Sequence, residues 1–411
     1  MSDALEYGIW FDGSSIEGFT RIFESDMLLM PDINTFAIIP WLSDDKGRVA
    51  RIICDVFTPA GVPYQCDPRY ILRKVMKEAY DLGFEYNTGP ECEFFLFKKE
   101  NGKIKTSVDH AIEPHDRGQY FDLVLDLGFD VRREMMIELQ KMGIEVETSH
   151  HEVAPGQHEI SFKYGNALDT ADRVMTLKYT LKSVAQKYGL HATFMPKPIT
   201  GINGSGMHVH QSLFTLTGEN AFFDSNNQYK LSKTAYYFLA GQIKYIRGLN
   251  AILNPLVNSY KRLVPGYEAS TYICWAQINR SALIRIPRYS PGKEKATRLE
   301  IRCPDPSSNP YLTFALLLKA GLEGIKNKIE APAPVEEDVF EFDDHELKMK
   351  HIDVLPFTLG EAIHEMQNSP IANELLGDEF MKKYIRAKTS EWDEFRVQVT
   401  EWEIKNYLDT I

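Results

Sequence analysis

The sequence predicts an α+β protein in two parts, and three observations carry that prediction. The chain has 411 residues, which at about 150 residues per domain leaves room for two or three domains and a large core. Its texture changes at Asp67: short strand-like stretches and turns come before it, long amphipathic helices interleaved with strands after it. Several later strands alternate apolar side chains with carboxylates, imidazoles or guanidiniums, so each presents one apolar and one chemically active face. With 44% hydrophobic and 25% charged residues, the composition is that of a packed globular body and excludes disordered or collagen-like chains.

Before Asp67, the stretch TFAIIPWL (Thr35 to Leu42) reads as a strand, and the DDKG turn from Asp44 to Gly47 joins it to RVARIICDVF as a hairpin. Asp67 can cap a helix with Pro68 at its first position and a stop at Gly83, so a boundary is expected there: residues 1–66, then 67–411. Further helices are predicted from Thr170 to Tyr188, Lys233 to about Leu253, Pro310 (capped by Asn309) to about Ile329, Leu359 to about Leu376, and Glu379 towards Tyr407. Strand-like segments lie between them at ECEFFLF, HEISFKY, ATFMPKP, MHVHQSLF, ALIRIP and TRLEIRC.

The 58 acidic residues outnumber 46 basic ones, for a formal charge of -12, which argues against nucleic acid or an anionic membrane surface as partner. Five scattered cysteines without C-x-x-C spacing suggest neither a disulfide framework nor a zinc knuckle, so a reducing cytoplasm is expected. The start of the chain lacks a basic stretch followed by an apolar one, and the apolar run at Tyr311 is broken by Lys319, so no export signal or membrane anchor is expected.

Alternation places Glu91 and Glu93 of GPECEFFLF on one strand face, followed by Phe95 and Phe97. His208 and His210 share a face in MHVHQS, as do Arg298, Glu300 and Arg302 in TRLEIRC. A strand end reaching water explains one such row equally well, but the recurrence on three strands favours a common site. The segment from Glu147 to Glu159 adds Glu147, Glu152 and Glu159 around a Pro155–Gly156 turn that can fold the last two together. Crowded carboxylates repel unless cations hold them, and oxygen donors without a helical H-E-x-x-H spacing favour Mg²⁺ or Mn²⁺ over zinc. Arg262, Arg280, Arg285, Lys295, Arg298 and Arg302 suit the oxygens of an anionic substrate and a nucleotide phosphate, or else form structural ion pairs. The N-G-S-G run at Asn203 to Gly206 matches neither a Walker A nor a dinucleotide fingerprint.

Taken in order, DGSSIEGF (Asp12 to Phe19), ECEFF, HHEVAPGQHE, NGSGMHVHQSLF, NSYKRLVPGYEA, NRSALIRIP, RLEIRCPDPSSNPY and the terminal WDEFRVQVTEWE resemble a type I glutamine synthetase over essentially the whole chain. The string HIDVLPFTLGEA, without the tyrosine of the adenylylated branch, and Arg21, at the position of the family's feedback arginine, resemble the feedback-regulated branch. In the family further residues precede the DGSS motif, which begins here at Asp12, so the expectation is either a start placed late or a short form whose N-terminal domain lacks strands. RYSPGKEKAT (Arg288 to Thr297) departs from the feedback-regulated pattern, and Phe19 stands where the other branch has tryptophan.

The resemblance implies a small β-grasp domain, a catalytic domain with a curved antiparallel sheet flanked by helices, and a dodecameric ring with active sites shared between neighbours. It implies one divalent cation, Mg²⁺ or Mn²⁺, on Glu93, Glu152 and Glu159, and a second on Glu91, His208 and Glu300. It implies ATP against Glu147, Tyr164, His210 and Ser212, with Arg285, Lys295 and Arg298 at its phosphates, and L-glutamate held by Asn203, Gly204, Arg262 and Arg302. Arg280 would offset phosphoryl charge, Asp12 and Ser15 would serve the ammonium site of the adjacent subunit, and Glu268 would close over the intermediate. The expected activity is ATP-dependent ligation of ammonia to L-glutamate through γ-glutamyl phosphate. The alternatives are a paralogue that uses a larger amine and a catalytically silent ring subunit that regulates a partner.

Overall fold

The structure, a computed structural model, describes residues 2–15, 26–105, 112–267 and 269–410. Arg21 and Glu268 lie outside the described residues, as does the side chain of Ser15.

The texture change at residue 67 is a helix start. Asp67 accepts the backbone N–H of Arg69 at 3.1 Å, Pro68 takes the first position of the helix Pro68–Asp81, and Gly83 with φ +89° lets the chain turn away. Arg69 then ties the N-terminal part to the body. Its guanidinium lies 2.8 Å from Asp32 and 2.9 Å from Asp172 and also pairs with Asp55.

Upstream, Ile9–Asp12, Asp26–Pro31 and Cys54–Phe57 form a three-stranded antiparallel sheet. The Asp44–Gly47 turn closes a hairpin, but its ladder is only Ala37–Ile38 against Ala50–Arg51. The expected strand over Thr35 to Leu42 is otherwise replaced by 3₁₀ turns at Ile33–Thr35 and Pro40–Leu42. Pro40 has no N–H for a ladder and starts the second turn instead.

The body is built on an eleven-stranded sheet. Its central strand, Phe84–Glu100, pairs on one side with Met207–Thr215 and on the other with Gln157–Phe162. Beyond these follow Leu299–Ile301, Ala282–Arg285, Tyr272–Ala276 and Asp353–Val354 on one flank and Val146–His151 on the other. The sheet is antiparallel, as expected, except at one pair, where Tyr272–Ala276 runs parallel to Ala282–Arg285. The connecting loop 277–281 is held from outside the ladder: the Glu336 carboxylate accepts the N–H groups of Gln277 at 3.0 Å and Ile278 at 2.9 Å.

The apolar rows of the strands face the helices. Met207, Val209, Cys92, Leu299, Ile301 and Cys303 are fully buried in a core shared with Ala167–Lys187, Lys233–Leu253 and Pro310–Lys326. The polar rows are left on the opposite, open face. No helix among the described residues is long and apolar enough to cross a membrane.

Two helices are shorter than the spacing predicts. The first ends at Gln367, because Ser369 caps a new helix that begins at Pro370; the last is interrupted, with separate helices Pro370–Arg396, itself kinked at Gly377, and Glu401–Tyr407. The helix Phe129–Lys141 was not anticipated, although Val131, Met135 and Leu139 recur at its buried face with helical spacing.

Candidate active site

Strand register turns the separate polar rows into three rungs on one face. In the first, Arg285 faces Glu300, which faces His210. In the second, His208 faces Glu91. In the third, Glu93 faces Glu159, which faces His150. The Pro155–Gly156 turn, with Gly156 at φ +68°, folds Glu152 back onto that rung.

Glu91, His208 and Glu300 bring one donor atom each to within 4.8 Å of one another. His210 Nε2 lies 2.8 Å from Glu91 Oε1 and His208 Nδ1 3.5 Å from Glu91 Oε2. Burial pushes the Glu91 carboxyl up, but the hydrogen bonds of His208 and His210 hold it well below the usual carboxylate range. Glu300, with a side chain 1% exposed, carries Arg302 on one oxygen and Arg285 on the other at 2.9 Å. Burial opposes its ionisation, yet Arg302, His210 and His208 keep it ionised at lower pH than a free carboxyl.

The other group is poor in positive charge. Glu152, Glu159 and His150 bring donor atoms within 4.8 Å, and His150 Nε2 is 2.7 Å from Glu152 Oε1. Glu93 shares the rung, while its Oε2 accepts Gly206 N–H and Gln157 Nε2, each at 2.9 Å. Burial and neighbouring carboxylates push Glu159 up to about 10 and Glu93 up to about 8. Buried oxygens that would ionise but for one another are the donor set a hard divalent cation satisfies.

Two cavities open on this face. One, of about 280 Å³, is lined by Glu91, Glu147, Tyr164, His210, Ser212, Lys295 and Arg298 among others. Arg298 Nε donates to His210 Nδ1 at 3.1 Å, so the cation is tied to the first rung. Arg285 stays on Glu300 and does not line this cavity. The second cavity, of about 530 Å³, is lined by Asn203, Tyr267, Asn279, Arg280 and Arg302. Arg262 does not line it; it is 2% exposed and donates to the carbonyls of Cys303 at 2.8 Å and of Arg302, which does line it, at 3.1 Å. Its neighbours must be glycine. A Cβ on Gly206 would sit 2.6 Å from Arg262 Nη2, and one on Gly204 would sit 2.3 Å from the Pro196 carbonyl oxygen. Asp12 is exposed at the end of its strand, accepts from Ser14 N–H at 2.9 Å and lines neither cavity.

Sequence reasoning missed His150, Tyr120 and Asn279. The parity of His150 with Glu152 was a usable signal. Nothing local marks Tyr120, whose ring packs 4.8 Å from that of His150. Burial first, then the charges of Glu152 and Glu159, push its phenol up.

Known proteins resemble the chain over its whole length. Residues 65–407 match the family model described as the glutamine synthetase catalytic domain, and residues 1–59 the one described as the glutamine synthetase beta-Grasp domain. The chain is 53% identical to a glutamine synthetase of Clostridium saccharobutylicum, covering 100% of this chain and 90% of the relative. It is 51% identical to that of Thermus thermophilus, covering 99% and 90%. Among solved structures, a GmaS/ADP complex superposes with a TM-score of 0.88 at 33% identity, covering 99% of this chain and 91% of that one. A Plasmodium falciparum glutamine synthetase does so with 0.86 at 26%, with the same coverage. The rungs of carboxylate and imidazole, the two cavities and these likenesses over the whole length place the chain in the glutamine synthetase family.

Proposed function

We propose that the ATP-dependent ligation of ammonia to L-glutamate, the activity that membership of this family brings to the chain, runs through γ-glutamyl phosphate on the open face of the sheet. The observation that carries this reading is the register of the rungs, which brings two groups of acidic donors onto the sheet face, with one cavity lined by Lys295 and Arg298 and another lined by Arg280 and Arg302.

A carboxylate does not acylate an amine at neutral pH, so the γ-carboxylate must first accept a phosphoryl group. Two divalent cations, Mg²⁺ or Mn²⁺, one on Glu91, His208 and Glu300 and one on Glu93, Glu152 and Glu159, would neutralise phosphate charge. In this reading Glu147, Tyr164, His210 and Ser212 bind ATP, and Lys295, Arg298, Arg285 and Arg280 offset charge on its phosphates. Arg302 and Arg262, with Asn203 and Gly204, orient glutamate. Asp12 and Ser15 of an adjacent subunit hold ammonium, with Asp12 taking its proton, Glu268 excludes water, and Arg21 senses the product. The arrangement requires a homo-oligomer, for which we propose a dodecamer, with residues 1–66 and 67–411 as its two domains and the cytoplasm as its location.

The test is ATP-dependent phosphate release with glutamate plus ammonium, ethanolamine or putrescine. Ammonium should stimulate release with formation of glutamine. Stimulation only by a larger amine, or by none, would reject the proposal.

A further inference from the structure

The two histidines of the HHE string point in opposite directions. His150 faces the carboxylates, whereas His151 is buried behind them and stands across the ladder from His158. His151 Nε2 lies 2.8 Å from Asp116 Oδ1 and His151 Nδ1 lies 2.6 Å from the backbone oxygen of Glu152. Neither acceptor bears a hydrogen, so both ring nitrogens donate and the ring is an imidazolium paired with the Asp116 carboxylate.

Asp116 does more than balance that charge. Its Oδ1 also accepts the N–H of Gly156 at 3.1 Å and its Oδ2 the N–H of Gly128 at 3.1 Å. One carboxylate, with a side chain 0% exposed, thus grips the turn 152–156 at both ends: through His151 at Glu152, and directly at Gly156.

His158 is held differently. Its Nδ1 is 2.9 Å from Arg132 Nη1, which can only donate, so the proton of His158 sits on Nε2 and the ring is neutral. Asp116, His151 and His158 offer donor atoms within 4.8 Å of one another, but both nitrogens of His151 are engaged and the Arg132 charge adjoins, so this cluster is not a cation site.

We propose that Asp116, acting through His151 and the Gly156 N–H, is a positioning residue that sets the direction of the Glu152 carboxylate and hence the affinity of the cation site to which Glu152 belongs. The inference rests on the reading of Glu152 as a metal ligand. Partners that orient ligands in this way typically govern metal affinity by about 10- to 100-fold. Asp116→Asn keeps one acceptor but loses the charge that supports the imidazolium and turns a donor towards Gly128 N–H.

The experiment titrates Mn²⁺ alone into the full-length apo protein by calorimetry, for the parent, Asp116→Asn, Glu152→Gln and the double variant. Asp116→Asn should weaken one Mn²⁺ site by about 10- to 100-fold, leave the other site unchanged, and add nothing in the Glu152→Gln background. Parent-like affinity in Asp116→Asn, equal weakening of both sites, or additive loss in the double variant would overturn the proposal. Parent-like binding by Glu152→Gln would instead remove the ligand reading itself. If Asp116→Asn does not fold, His151→Gln, which retains a single donor, carries the same expectation and the same refutation.

Discussion

Arg285 and Glu300 face each other in register across neighbouring strands, with Arg285 Nη1 2.9 Å from Glu300 Oε2. Arg302 occupies the other oxygen, so this carboxylate is held ionised and fixed from both sides. Its partners on the next strand are the two histidines. Glu300→Ala removes a donor from the group with Glu91 and His208 and leaves two arginines unpaired. Phosphate release from ATP in the presence of glutamate should fall by at least ~10²-fold. Full amide synthesis by this variant would disprove the role assigned to Glu300.

The acidic group around Glu159 predicts a pH dependence. The folded values of about 10 for Glu159 and about 8 for Glu93 lie above the ~4.3 of an unfolded chain. Stability from such groups is fully present below about 4.3, declines as the unfolded chain ionises above that pH, and is lost once pH has risen through the folded values of about 8 and about 10. The contribution of these two groups should therefore lower the melting temperature of metal-free protein from about pH 5 to 10, most steeply below about pH 8 where both act. Glu159→Gln should flatten that fall, and Mn²⁺ binding near pH 7.5 should release protons, read as a buffer-dependent heat of binding. A flat melting profile with no proton release contradicts the assignment.

Gly204, next in sequence to Asn203 of the second cavity, has no room for a side chain. Gly204→Ala would press a methyl 2.3 Å from the Pro196 carbonyl oxygen, part of the backbone, and 3.3 Å from Arg262 Cγ. The variant should lose about 1–3 kcal/mol of stability, and its KM for glutamate should rise while nucleotide affinity is kept. Denaturant melts and initial rates check both, and an unchanged KM would separate Gly204 from the glutamate site.

Asp12 tests the shared-site proposal. It lines neither cavity of its own chain, so Asp12→Ala should leave ATP and glutamate binding intact and raise the KM for ammonium. Oligomers reassembled from Asp12→Ala and Glu300→Ala chains should regain part of the activity that each lacks alone, because some sites then combine one intact half from each neighbour. No recovery in verified mixed oligomers would place both residues in one subunit's site.

Much was readable locally. The Asp67 cap with Pro68, the Asn309 cap with Pro310 and the Ser232-capped helix Lys233–Leu253 follow from short-range hydrogen bonds and helical spacing. Helices predicted across Ser369 and towards Tyr407 were overrun because apolar spacing continued past capping residues. The parallel pair at Tyr272–Ala276 was illegible, since a short connection ordinarily signals an antiparallel turn, and Glu336, distant in sequence, satisfies the loop.

The amino-acid order alone determined which side chains share a strand face: Glu91 with Glu93, His208 with His210, Arg298 with Glu300 and Arg302. That parity is geometric and needs no partner. Tertiary structure decided which rows meet: His208 opposite Glu91, Glu159 opposite Glu93, and Asp116 brought back onto His151. Register is set by backbone hydrogen bonds and core packing between segments far apart in the chain, so no local pattern encodes it.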